Sequence, residues 1–240
     1  MCHGYDGIIR RLVDVSKVLM RSLAVLIAFG LLALSACAQF ADEEEDVPFD
    51  DYTTNPARSI YLRGLSYSAD GKHDKAIVEF TKIIQSNPQH AHAYLTRGQA
   101  YFFNEEYDRA IADYNRAIRL NPESAEAYSF RGLAYFSKKD YDSAFEDYDK
   151  AIEIEPENPA PYFMRGGAFT DIGDYDRGIA DFNKAIELKS DFAPAYYLRG
   201  VAYADSKDYD SAIADFEKTI ELHPTHAEAR EALEDAEKSR

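Results

Sequence analysis

Tyr128-Ser129-Phe130-Arg131-Gly132-Leu133-Ala134-Tyr135 is the stretch that decides the fold. Its Arg-Gly centre also occurs at Arg63-Gly64, Arg97-Gly98, Arg165-Gly166 and Arg199-Gly200, each step being 34 residues. A fixed period of that size marks a stacked-repeat protein, in which each unit leaves an apolar face for its neighbour to cover. Such an architecture biases function towards binding.

Working outward from the dipeptide gives repeats over 57–90, 91–124, 125–158, 159–192 and 193–226. Position 4 of the unit holds Ile60, Tyr94, Tyr128, Tyr162 and Tyr196, and position 11 holds Tyr67, Tyr101, Tyr135, Phe169 and Tyr203. With the position-8 glycine they share one helical face at spacings of four and three. Positions 20, 24 and 27 do the same on a second helix: Ala76, Phe80 and Ile83 in the first repeat, Ala144, Tyr148 and Ala151 in the third. Asp74, Asp108, Asp142, Asp176 and Asp210 at position 18 favour the positive end of that second helix. Pro88, Pro122, Pro156 and Pro224 at position 32 stop it. Each unit is therefore an antiparallel helix pair, here helix A and helix B.

The pattern resembles the tetratricopeptide repeat (TPR) family over residues 57–226. Residues 227–240 look like the capping helix that closes such arrays, with Glu234 where glycine would stand. The resemblance implies an all-α solenoid, a right-handed superhelix of helix pairs with helices A lining a concave groove. Two departures from the family stand out. Position 7, usually leucine, is Arg63, Arg97, Arg131, Arg165 or Arg199. The fourth repeat has Pro159 and Pro161 at its start, Gly178 for alanine at position 20 and Ser190 for proline at position 32. That helix pair is expected to be the least stable of the array.

The arginines have ready counter-charges. Position 23 is acidic in every repeat: Glu79, Asp113, Asp147, Asp181 and Asp215. The coincidence points to a structural ion-pair ladder whose arginine stems still pack as leucine would. An anion-binding stripe is the functional alternative.

In the family, ligands meet helix A beside its packed face, at positions 2, 5, 9, 12 and 13. Here the candidate partner-groove residues are Tyr61, Leu65, Leu95, Gln99, Phe102, Phe103, Leu133, Phe136, Phe163 and Tyr197. The Lys, Asn and Arg with which chaperone-binding members clamp a terminal carboxylate are absent. The stripe is apolar and aromatic, which suits an apolar helix or an extended peptide of another protein. The alternative is that these side chains pack against neighbouring helices.

Several classes of function lack support. The net charge of -16 argues against a nucleic-acid partner. Cys2 and Cys37 both precede the repeats, so no disulfide frame or zinc cluster is expected within them. His90, His92, His223 and His226 lie by turns and read as surface residues. No phosphate loop and no nucleophile with a base is recognisable, so no enzyme activity, cofactor or metal is expected.

Ahead of the repeats, Leu23 to Leu34 is an uncharged apolar run that follows Arg10, Arg11, Lys17 and Arg21. This is the pattern of a secretory signal over residues 1–36. Residues 1–19 read either as an over-extended start ahead of Met20 or as a long basic leader. Leu34-Ser35-Ala36-Cys37 resembles the bacterial lipobox, in which the cysteine is acylated. An uncleaved span over 22–40 and an ordinary cleavage site stay open as alternatives. Residues 37–56 carry seven acids between 42 and 51 and read as a solvated tether. The chain is thus expected to be an exported scaffold in the bacterial periplasm, anchored by its lipid to the outer membrane rather than the inner. There it would recruit another protein. Self-association, or assistance in assembling an outer-membrane or pilus machine, are the alternatives.

Overall fold

The computed structural model describes residues 56–240, and all of the secondary structure there is helical. The signal segment, Cys37 and the acidic tether lie outside the described residues. Among the described residues, no helix is long and apolar enough to cross a membrane. These residues fall into two compact units, 56–165 and 166–240.

The first unit contains α1 (Pro56–Ala69), α2 (His73–Ser86), α3 (Ala91–Phe103), α4 (Tyr107–Leu120), α5 (Ala125–Ser137) and α6 (Tyr141–Ile154). Helix α7 (Pro159–Asp171) carries the division between the units. The second unit continues with α8 (Tyr175–Leu188), α9 (Ala193–Asp205), α10 (Tyr209–Leu222) and α11 (Ala227–Ser239). Odd-numbered helices up to α9 are helices A, and even-numbered ones are helices B. From α1 to α6, and again from α8 to α11, consecutive helices pack on one another.

Within a pair, the glycine at position 8 lies under the ring at position 24. A methyl group on Gly98 would come within 2.6 Å of the Tyr114 ring, and one on Gly200 within 2.7 Å of Phe216. The rings of Phe80, Tyr114, Tyr148 and Phe182 are fully buried, as are Ala76, Ala110, Ala144 and Ala212 at position 20. The period in the sequence is thus the period at which one backbone must approach one ring.

The turn from A to B is the same in every repeat. The fifteenth residue takes a left-handed conformation: Gly71, Glu105, Lys139, Gly173 and Lys207 have φ between 60° and 84°. Around it, the N–H of Glu106 reaches back to the Tyr101 carbonyl and that of Glu105 to Phe102. This double closure satisfies the last carbonyls of helix A.

Helix starts are capped by position. Asp140, Asp174 and Asp208 accept from the third N–H of helices B. Before α3 and α5 the cap is His90 and Ser124, before α9 Phe192 offers no side-chain cap, and before α11 the cap is His226. Two of the histidines that read as plain surface residues are therefore caps, each accepting through Nδ1 from an alanine N–H.

Repeat four shows how its departures are accommodated. Pro159 and Pro161 fall in the first turn of α7, where an absent N–H breaks no intrahelical bond. A Cβ on Gly178 would collide with Thr170 Oγ1, which donates to the Gly166 carbonyl at 3.0 Å. The small residue on α8 matches a hydroxyl on α7.

Candidate functional site

Two faces of the array carry the predicted residues. The first is the arginine ladder between helices A and B. Arg97 donates through Nε and Nη2 to both oxygens of Asp113, at 2.7 and 2.8 Å. Arg131 does so with Asp147 at 2.8 and 2.6 Å, and Arg199 with Asp215 at 2.8 and 2.7 Å. Arg63 reaches Glu79 with Nη2 alone, at 2.6 Å, and is far more exposed.

The remaining nitrogen of each fork points to the previous repeat. Arg97 Nη1 donates to Thr81 Oγ1 at 3.1 Å and Arg131 Nη1 to Asn115 Oδ1 at 2.6 Å. Arg165 pairs with Asp149, and Arg199 Nη1 with Asn183. All four acceptors occupy position 25, which sequence reasoning had not singled out. Residue type varies there, and only the acceptor oxygen recurs.

Tyrosines complete the setting. The Arg131 guanidinium lies 5.3 Å from the ring centre of Tyr128 and 6.0 Å from that of Tyr135. Arg97 and Arg199 have the same two neighbours at positions 4 and 11. Burial pushes the Asp113 and Asp147 carboxyls up, and the facing guanidinium opposes it. With two short bonds to each, we assign ionic pairs at neutral pH. Each nitrogen of the Arg97, Arg131 and Arg199 forks makes one bond inside the protein, three of the five N–H donors in all. The arrangement links helix A to its own helix B and to the previous repeat. Asp181 is itself buried on α8.

The second face is the helix-A stripe. Leu95, Phe102 and Phe163 are buried and do not present themselves at the surface. Phe102 packs on Tyr107 of its own helix B, 5.4 Å between ring centres. Phe103 stacks on His73 of the preceding repeat at 5.2 Å. Both therefore fall at the turn end of the pair. Tyr61, Leu65, Gln99, Leu133, Phe136 and Tyr197 are partly exposed. Tyr61 leans on Phe80 and on His92, and Tyr197 on Phe216 and His226. Position 5 thus bridges from its own helix B to the start of the next helix A.

His92 differs from the surface residue read in the sequence. Burial under this stripe drives its imidazole down to about 4, so it is neutral at physiological pH. One repeat on, the same position holds Glu126. Its Oε1 accepts from Gln99 Nε2 at 3.0 Å, and burial raises its carboxyl to about 7.

Tetratricopeptide-repeat family models match residues 61–112, 95–159, 166–207 and 193–226. The chain belongs to the tetratricopeptide repeat family. No curated protein sequence matches this TPR chain. Among solved structures, MamA is 27% identical with a TM-score of 0.56, covering 69% of this chain and 96% of its own. A thermophilic TPR protein of Thermus thermophilus is 19% identical with a TM-score of 0.67, covering 76% and 99% respectively. YrrB, described as a TPR protein with an unusual peptide-binding site, is 22% identical with a TM-score of 0.53, covering 74% and 92%. The last two likenesses concern the fold alone.

Proposed function

We propose that this protein is a non-enzymatic scaffold that recruits another protein through the helix-A face of its TPR array. One observation carries the reading. Tyr61, Leu65, Leu133 and Phe136 keep apolar surface open on the first unit, while Leu95 and Phe102 anchor the same stripe from beneath. A partly open apolar stripe on a rigid base suits an apolar helix or extended segment. The sequence ahead of the array adds the location: export, acylation at Cys37 and an acidic tether would hold the scaffold at the outer membrane, facing the periplasm.

The test is crosslinking in intact envelopes with native protein and with Leu133→Glu/Phe136→Glu. A partner captured by the native protein and lost by the double variant, with helical circular dichroism unchanged, is the expected result. Equal capture by both counts against the stripe. Labelling with radioactive palmitate, compared between native Cys37 and Cys37→Ser, tests the anchor.

A second reading has its own support. Position 6 is buried in Phe130 and Leu198, each 6% exposed, yet Leu62 on α1 is 52% exposed. Among the described residues nothing covers Leu62, and a second copy could dock there. Sedimentation of native protein against Leu62→Lys separates the readings. A monomer in both removes self-association at this end.

A further inference from the structure

Glu126 sits in the first turn of α5, with Ser129 one turn further along the same helix. It accepts a hydrogen bond from Gln99 on α3. No lysine or arginine is paired with it among the described residues, and the charge that bears on it is another acid, Glu155. Gln99 commits its amide nitrogen to Glu126, which leaves its carbonyl oxygen as an acceptor.

Two buried hydroxyls lie on the helix that carries Glu126 and on the helix before it, Ser129 on α5 and Tyr114 on α4. Tyr114 OH and Ser129 Oγ have no hydrogen-bond partner. Tyr114 is fully buried on α4; burial pushes its phenol up, and the nearby Glu126 carboxylate adds to the rise. The fold does not need this hydroxyl, because Phe80, Phe182 and Phe216 fill the same seat in other repeats. Tyr114 therefore supplies an unpartnered oxygen near a carboxylate with no basic partner among the described residues, and Ser129 carries a second such oxygen one turn along the same helix as Glu126.

We propose that the joint between the second and third repeats receives the lysine or arginine side chain of a bound protein segment, its cationic head held by Glu126 with the oxygens of Gln99, Tyr114 and Ser129. The inference rests on the protein-binding reading above and specifies what the bound segment carries. An ammonium or guanidinium group brings three or five N–H donors to an acceptor-rich setting, and cancels the charge that burial disfavours. At the preceding joint the equivalent position is the neutral His92. At the start of α11 it is Glu228, whose carboxylate is exposed to solvent. The net charge of -16 draws a basic segment towards the array.

The test selects random dodecapeptides on phage against the full chain in detergent micelles, using native protein, Glu126→Gln and Tyr114→Phe. Native protein should enrich peptides with Lys or Arg at one fixed place among apolar residues. The synthetic winner should bind native protein about tenfold or more tightly than its norleucine or citrulline version, and Glu126→Gln should erase that difference. Enriched peptides without a basic position, or a preference that survives Glu126→Gln, overturn the cation seat and leave the apolar stripe standing. No enrichment at all overturns both. Should Glu126→Gln lose its helical signal, Tyr114→Phe carries the test. It must weaken the basic peptide and spare the norleucine version, and unchanged affinity for both overturns the proposal.

Discussion

Arg131 and Asn115 join the third repeat to the second: Nη1 of the one donates to Oδ1 of the other at 2.6 Å, while the rest of the fork holds Asp147. One side chain thereby fixes both the angle within a pair and the seating between pairs. Removing Arg131 leaves Asp147 buried without its counter-charge, and Arg131→Ala should cost roughly 3 kcal/mol. Asn115→Ala should cost about 1 kcal/mol. A double-mutant cycle on Arg131 and Asp147, read from urea midpoints, should give a coupling above about 1 kcal/mol. Arg63→Ala, at an exposed single-bonded pair, should cost clearly less than Arg131→Ala. Equal losses at Arg63 and Arg131 would contradict the clamp.

The match between Gly178 and Thr170 makes a second expectation. Gly178→Ala alone should fail to gain the roughly 1 kcal/mol that alanine offers a helix interior, because the methyl meets Thr170 Oγ1. Combined with Thr170→Ala, part of the gain should appear, the Gly166 carbonyl 3.0 Å from the added methyl holding back the rest. Thermal melts of the two single variants and the double variant decide it. Strictly additive melts would remove the steric account.

At the A-to-B turn, side chains carry a conformational cost that glycine avoids. Lys139 has φ 65° and Glu105 φ 60°. Lys139→Gly should stabilise by up to about 1 kcal/mol, offset in part by the freer unfolded chain. Gly71→Ala should destabilise by a similar amount, roughly 1 kcal/mol, although nothing lies within 4 Å of the added methyl. Denaturant midpoints that move the other way would show that packing governs this turn.

Two partly buried groups at position 2 respond to pH in opposite directions. Glu126 is raised from 4.5 to about 7, so its contribution is present below pH 4.5 and is lost as pH climbs through 7. His92 is lowered from 6.5 to about 4, so its contribution is present above pH 6.5 and is lost as pH falls towards 4. Glu126→Gln should therefore melt higher than native protein at about pH 8 and lose that advantage near pH 4.5. His92→Gln should flatten the acid limb. Parallel melting curves across this range would show that neither group is coupled to folding.

What could be read from the sequence was whatever the packing forces into one residue type. Gly132 must admit the Tyr148 ring, and so the period is visible. The arginines of position 7 and the acids of position 23 stand in register because a fork needs a carboxylate opposite it. Position 25 escaped notice because Thr81, Asn115, Asp149 and Asn183 satisfy the same nitrogen with different side chains. Phe102 looked like surface for a related reason. Spacing places it on a helix face, but Tyr107 beyond the turn decides that this face is covered. Glu126 was hidden among the many acids of the chain, since only burial sets it apart.

The clamps also carry a rule of growth. Arg97, Arg131 and Arg199 each reach sixteen residues forward to an acid and sixteen back to an acceptor, so a duplicated copy of 125–158 inserted beside the original would find both partners waiting. Lengthening the array from within leaves every joint intact. At α11 the pattern changes: Leu233 stands in the seventh place, so this helix lacks the arginine that grips the preceding pair. The number of repeats is thereby open to duplication in the middle of the array.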